Sequence, residues 1–252
     1  MKVVILAGGY GTRLSEYTHA IPKPMVPIGD LPILIHIMNL YSDFGFKNFY
    51  IALGYKKEIV IDYFESKKNT NTTKKHEKNK IIYQNIFNGW SVHLVDTGID
   101  TMTGGRLKKL SHELQYDNFM LTYGDGLSNI NLHKLAEFHN KNNKITTISA
   151  VRPPARFGEL EINGDLVLKF KEKHQLNEGW INGGFFVMKP DIFELINDDK
   201  MMLERFPLET LATRNELIAY KHQGFWQCMD NKRDKILLEK MLQSNPLWIQ
   251  KK

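Results

Sequence analysis

An uninterrupted apolar run, Val3-Val4-Ile5-Leu6-Ala7, halts abruptly at Gly8-Gly9-Tyr10-Gly11. A strand with no polar side is stable only when both of its faces are covered, so the chain must build a sheet packed between helices. Similar runs recur at Phe49–Leu53, Val92–Val95, Phe119–Tyr123 and Ile145–Ala150. Between them the apolar residues fall at helical spacing. One such set is Ile33, Leu34, Ile37, Met38 and Tyr41, a second is Ile59, Tyr63 and Phe64, and a third is Leu132, Leu135, Ala136 and His139. Strand and helix alternating at this interval predict an α/β fold with a largely parallel sheet flanked by helices.

The pattern changes after Ala150. Glu159–Ile162 and Leu166–Phe170, separated by Asn163-Gly164-Asp165, read as a hairpin, and Phe185–Met188 as a further strand. Helical stretches follow from Pro190 and from Leu208. A last helix, with Ile236, Leu237, the Lys240 stem and Met241 on its apolar face, is expected to pack onto the body. There is no repeat, low-complexity tract or Pro/Gly/Ser linker. The 252 residues therefore read as a single domain with a small β-rich elaboration in its second half.

Thirty-four Lys and Arg against twenty-eight Asp and Glu give a net charge of +6. Part of that excess sits in the polar run 67–80, which lacks interleaved aromatics and reads as a solvated loop, not a nucleic-acid groove. No stretch approaches the ~20 apolar residues of a membrane span, and the start lacks the profile of a secretory leader. The single cysteine, Cys228, excludes an intrachain disulfide framework and a cysteine zinc cage. A cytoplasmic enzyme with no membrane or nucleic-acid partner is the expectation.

The densest chemical signal is Leu6-Ala-Gly-Gly-Tyr-Gly-Thr-Arg-Leu14. Glycines at 8, 9 and 11 let the backbone turn sharply and approach a ligand, and their N–H groups can converge on phosphate oxygens. Arg13 adds a charged fork for outer phosphates. Thr12-Arg13 is not the Lys-Ser/Thr of a P-loop, and Leu14 stands where a dinucleotide fingerprint needs a small residue. Lys23, between Pro22 and Pro24, is expected on a stiff, extended backbone as a fixed cation. Asp125 ends a buried strand where α/β ligands bind, and Asp230 ends another strand-like run. Two aspartates with substrate phosphates and water match the way Mg²⁺ is held.

Together these residues resemble the sugar nucleotidyltransferases, the nucleoside-diphosphate-sugar pyrophosphorylases. The counterparts are Leu6–Leu14, Pro22-Lys23, Gly124-Asp125, Glu172-Lys173 and Asp230, spread over nearly the full length. Five further stretches look most like the branch that cytidylylates glucose 1-phosphate. They are Asp96-Thr-Gly98, Met102-Thr-Gly-Gly-Arg-Leu107, Pro153-Pro154-x-Arg-Phe-Gly158, Ile181-Asn-Gly-Gly-Phe-Phe186 and Gly224-Phe-Trp-Gln227. The family's Glu-Lys-Pro reads Glu172-Lys173-His174 here, and its Glu-Pro-Trp reads Asn88-Gly89-Trp90. Another sugar 1-phosphate or a non-sugar phosphate therefore stays open as acceptor.

The resemblance implies a Rossmann-like sheet, with a nucleotide half (1–150), an acceptor half (151–230) and a C-terminal helix (231–252). It implies that a phosphate monoester attacks the α-phosphorus of CTP and pyrophosphate leaves. Such a nucleophile is already an anion, so no serine or histidine base is required, and neutralising charge is the task. Arg13 is expected on the departing pyrophosphate, and Lys23 between the α-phosphate and the incoming phosphate. Asp125 and Asp230 are expected on Mg²⁺. Leu6, Gly8, Gly9, Gly11 and Thr12 would line the nucleotide, with Thr103 and Arg106 near the cytosine or its phosphates. Lys173 would bind the acceptor phosphate, with Glu172, Asn182 and Gly183 around the sugar. Relatives assemble symmetrically, so a homo-oligomer is expected.

The remaining candidates read as packing. His36, His93, His133 and His139 fall in helix or strand patterns, Cys228 reads as a buried small hydrophobe, and Trp226 as core. A catalytically silent nucleotide-binding relative is the alternative class; its mark would be loss of Arg13, Lys23 or Asp125, and all three are present.

Overall fold

A computed structural model describes residues 1–87, 89–152, 159–171 and 179–249. Its centre is a nine-stranded sheet. The strands lie in the order Leu217–His222, Thr146–Val151, Ile181–Met188, Phe119–Tyr123, Val3–Leu6, Asn48–Leu53, Trp90–Asp96, Lys80–Ile86 and Thr73–Glu77. Only Ile181–Met188 and Lys80–Ile86 run against the other seven, because each pairs antiparallel with both of its neighbours. The remaining pairings are parallel, and Val3–Leu6 lies in the middle of that block. The doubly covered sheet expected from the apolar runs is present.

The two faces follow from the strand period of two. Val3 and Ile5 point into one core with Ile33, Ile37, Tyr41, Phe64, Leu132 and Leu135 of the helices Ile33–Asp43, Lys57–Ser66 and Leu132–Asn142. Val4 and Leu6 point the other way. They pack with Leu107 of helix Thr103–Lys108, Ile192 and Leu195 of the 3₁₀ turn Pro190–Leu195, and Leu208 and Leu211 of helix Phe206–Thr213. The hairpin is also as expected: Glu159–Asn163 pairs antiparallel with Leu166–Lys171, and Gly164 takes φ +59° in its turn.

Three expectations need correction. Residues 73–77 are not loop but an edge strand on Lys80–Ile86. Lysines at an edge tolerate one unpaired side, and here Lys74 pairs with Glu65 and Lys75 with Glu77. Helix Lys232–Ser244 forms, but Ile236 and Leu237 are exposed and Leu238 is the buried apolar residue. Its start is fixed by a capping box, Asn231 accepting from the Asp234 N–H while Asp234 accepts from the Asn231 N–H, and this sets the rotation. Lys23 opens a 3₁₀ turn, Lys23–Met25, and only Pro22 before it is extended. No helix among the described residues is long and apolar enough to cross a membrane.

Candidate active site

The register of the central strands decides where the chemistry sits. Leu6 stands opposite Tyr123, so the glycine loop after one strand and Gly124-Asp125-Gly126 after the other leave the sheet side by side. Gly124 is tightly enclosed, since a Cβ would lie 3.0 Å from both the Leu6 carbonyl and Pro24 Cγ, and those neighbours would have to give way by a few tenths of an ångström. The short strand Trp226–Cys228 then pairs antiparallel with Gly126–Ser128, and the Met229 N–H donates to the Asp125 carbonyl at 2.9 Å. Asp230 is thereby brought beside Asp125 from more than a hundred residues away.

Lys23 lies between them. Its Nζ donates to Asp125 Oδ2 at 2.5 Å and to Asp230 Oδ1 at 2.8 Å, while Arg13 Nη1 donates to Asp230 Oδ2 at 2.9 Å. Burial works against the Lys23 ammonium, but Asp125 and Asp230 outweigh it and hold its pKa above the ordinary lysine range. Burial likewise works to raise Asp230, and Lys23 and Arg13 outweigh it to hold that carboxyl below the usual carboxylate range. The carboxylates of Asp125 and Asp230 both meet one ammonium, and hard carboxylate oxygens are the donor type Mg²⁺ takes. Burial, with Asp230 and Asp125 nearby, pushes the Cys228 thiol up to about 12, so it stays protonated at neutral pH.

Every described residue expected at the site lines one cavity of about 620 Å³. They are Leu6, Gly8, Gly9, Gly11, Thr12, Arg13, Lys23, Thr103, Arg106, Asp125, Asn182, Gly183 and Asp230. Glu172, Lys173 and His174 lie outside the described residues, as do Asn88 and Pro153–Gly158.

Arg106 lines the cavity and is also tied to the backbone around it. Its terminal nitrogens donate to the carbonyls of Leu53, Gly98, Gly8 and Ile99 and to Thr97 Oγ1, at 2.7–3.1 Å. The side chain lies beneath the glycine loop and bonds its Gly8 carbonyl, so it braces the loop. Gly8 and Gly54 are required by it, because a Cβ on either would fall within 2.4 Å of the guanidinium.

Trp226 is half-buried, packed against the core on one side and lining the cavity on the other, and its Nε1 donates to the Gly183 carbonyl at 2.7 Å. Cys228 is likewise only half-buried and faces the cavity. The histidines are packing residues. His36 Nε2 bonds the Ile28 carbonyl, His93 stacks on Tyr50 with ring centres 4.2 Å apart, and His139 Nδ1 bonds Thr147. His133 packs edge-on against Phe44.

Sequence reasoning passed over Tyr123 and Glu204. Tyr123 donates to Glu204 Oε1 at 2.7 Å and accepts from Asn182 Nδ2, and Thr103 donates to Glu204 Oε2 at 2.6 Å. Tyr123 directly precedes Gly124-Asp125, which was a usable signal; Leu203-Glu204-Arg205 has no local pattern to mark it.

Comparison with known proteins places this geometry. The sequence profile of the family described as Nucleotidyl transferase matches residues 2–232. A glucose-1-phosphate cytidylyltransferase of Salmonella typhimurium is 45% identical over 243 residues, covering 95% of each chain. A probable glucose-1-phosphate cytidylyltransferase of Bacillus subtilis is 38% identical, covering 99% of this chain and 97% of its own. Among solved structures, HddC from Yersinia pseudotuberculosis is similar with a TM-score of 0.68 at 27% identity, covering 96% of this chain and 99% of that one.

Proposed function

This chain belongs to the nucleotidyl transferase family, and from that premise we propose that it transfers CMP from CTP to glucose 1-phosphate, giving CDP-glucose and pyrophosphate. The observation that carries the chemistry is Lys23 Nζ, 2.5 and 2.8 Å from two aspartates at the mouth of the glycine loop. The identity to cytidylyltransferases over nearly the whole chain carries the choice of substrates.

A sugar phosphate oxygen attacks the α-phosphorus of CTP, the new P–O bond forms, and the bond to the β-phosphate oxygen breaks in line with it. Both reactants are anions, so the barrier is lowered by holding them together and cancelling charge. Lys23 spans the α-phosphate and the incoming phosphate, where like charge is densest. Arg13, on the 3₁₀ turn Thr12–Leu14 and largely exposed, swings to the departing pyrophosphate. The N–H groups of Gly8, Gly9 and Gly11 orient the nucleotide, and Asn182 and Gly183 face the sugar, with Glu172 and Lys173 assigned there by resemblance. Asp125 and Asp230 would hold Mg²⁺, which supplies Lewis-acid neutralisation of the phosphates.

The test is pyrophosphate release with each of the four nucleoside triphosphates against glucose 1-phosphate and other phosphorylated acceptors, with and without Mg²⁺. Turnover confined to CTP, glucose 1-phosphate and Mg²⁺ is expected; rapid turnover with a different pair would replace the assignment. The same reading makes the protein a homo-oligomer. Leu166, Val167, Leu168 and Phe170, each more than half exposed, support it, and size-exclusion chromatography checks it.

A further inference from the structure

The two carboxylates assigned to Mg²⁺ are already engaged by cations of the protein itself. Lys23 Nζ donates to Asp125 Oδ2 at 2.5 Å and to Asp230 Oδ1 at 2.8 Å, and Arg13 Nη1 donates to Asp230 Oδ2 at 2.9 Å. One ammonium thus holds both side chains that the ion would need. Asp234, a further carboxylate beside Asp230, is engaged by the Asp230 and Asn231 N–H groups at the start of its helix. Among the described residues no group of three or more His, Cys, Asp or Glu side chains is placed to hold a metal. Asp125 and Asp230 therefore need oxygens from elsewhere to complete an octahedral shell.

Charge decides how the side-chain cations and a metal compete. Lys23 and Arg13 match Asp125 and Asp230, and the other charged residues among the described lining, Arg106 and Glu204, also balance. A divalent ion from water meets a neutral cluster there and finds no net attraction to offset the water it must shed. On the oxygens that Lys23 holds, with Mg–O distances of about 2.1 Å, it would lie within about 5 Å of Nζ. Even at the dielectric of water, a unit charge at that range from a divalent ion lowers its affinity by about tenfold. A triphosphate reverses the balance. Its phosphates draw Lys23 and Arg13 to themselves, which releases the two carboxylates, and they supply the further oxygens as well.

We propose that Lys23 is a stand-in for the metal: it keeps Asp125 and Asp230 closed to free Mg²⁺ until a nucleotide draws it away, so that metal and nucleotide enter together. This deepens the proposed function and rests on it for where Lys23 goes next, the α-phosphate. The competition itself involves only the protein and the ion.

The experiment titrates Mn²⁺, a paramagnetic probe for Mg²⁺, into nucleotide-free protein and follows the electron paramagnetic resonance of the free ion. Wild type should bind weakly. Lys23→Met should bind about tenfold more tightly, although the same substitution slows turnover. Lys23→Arg keeps the charge and should stay weak. Asp230→Asn added to Lys23→Met should return the affinity to the wild-type level, which locates the ion. An affinity in Lys23→Met within about twofold of wild type, or a gain that survives Asp230→Asn, would overturn the inference. Should Lys23→Met not fold, Lys23→Gln takes its place with the same expectation. Pyrophosphate release confined to another nucleotide would instead overturn the proposed function, while the Mn²⁺ titration would stand.

Discussion

Two arginines border the same cavity and do opposite work. The Arg13 side chain is 77% exposed and touches one carboxylate oxygen; Arg106 is 4% exposed and holds five oxygens of the protein. The first is an exposed charge open to the cavity, and the second a buried group bonded beneath the glycine loop. Both lie in motifs that read as phosphate-binding. Burial and hydrogen-bond partners, not residue type, separate a group that acts on the ligand from one that shapes its site. Lys23 stands between these extremes, half-buried against two aspartates yet open to the cavity.

The contrast predicts that changes at the reacting end lower rate while changes beneath the loop lower stability. The largest effect is expected from Lys23→Met. Loss of one preorganised charge stabiliser should reduce turnover by ~10²–10³, read as initial pyrophosphate release, while Tm falls by less than in Arg106→Ala. Retention of near-normal turnover would remove Lys23 from the mechanism.

Arg106→Ala should do the reverse. Leaving the Gly8, Leu53, Gly98 and Ile99 carbonyls without their donor should cost about 3 kcal/mol, lowering Tm by roughly 6–12 °C for a chain of this size. Arg106→Lys should rescue little, because one ammonium cannot replace a fork that spans five acceptors. An Arg106→Ala protein that melts like wild type but no longer binds CTP would instead place Arg106 on the nucleotide.

Acid sharpens the comparison further. Burial lowers His93 and His139 to about 4, and His93 Nδ1 and His139 Nε2 are buried with no partner among the described residues. Below the ordinary histidine value the unfolded chain takes up protons that the folded chain refuses, so stability falls as pH falls. Between pH 6.5 and 5.5 the loss should be about 1 kcal/mol for each histidine, seen as a lower urea midpoint. Asp230, depressed by Lys23, withdraws its contribution only when pH falls through its own lower value, and Lys23, raised, only when pH climbs through its higher one. The scaffold should therefore weaken in mild acid while the site keeps its charges. A urea midpoint unchanged from pH 7 to 5.5 would contradict this.

The smallest effect is expected from Arg13→Ala. An exposed ion pair contributes at most about 1 kcal/mol to stability, so Tm should hardly move. Catalytic efficiency should fall by about tenfold as one charge-assisted contact to the leaving pyrophosphate is lost. A loss of stability exceeding the loss of activity would reverse the roles of the two arginines.

Much of this was legible in the chain itself. Strands with no polar face announce themselves, and so does a glycine loop that follows one directly; Val3–Leu6, Asn48–Leu53 and Phe119–Tyr123 are strands for that reason. Lys23, Asp125 and Asp230 could be grouped because their residue types share one chemistry. What stayed hidden depends on three-dimensional neighbours. The edge strand Thr73–Glu77 carries no apolar alternation, being held by its partner strand and its ion pairs. The Asn231–Asp234 box was written in the sequence, and reading it would have turned Leu238 inward and Ile236 outward. The partners of Arg106 are backbone carbonyls, which every residue carries and no sequence pattern marks.

The most direct test of the central claim is a crystal structure of the wild-type enzyme with CTP and Mg²⁺, without acceptor. The account predicts the α-phosphate against Lys23, the β- and γ-phosphates toward Arg13, the metal on Asp125 and Asp230, and Arg106 still bonded to Gly8. A triphosphate bound to Arg106, or lying away from the Lys23–Asp125–Asp230 cluster, would contradict it.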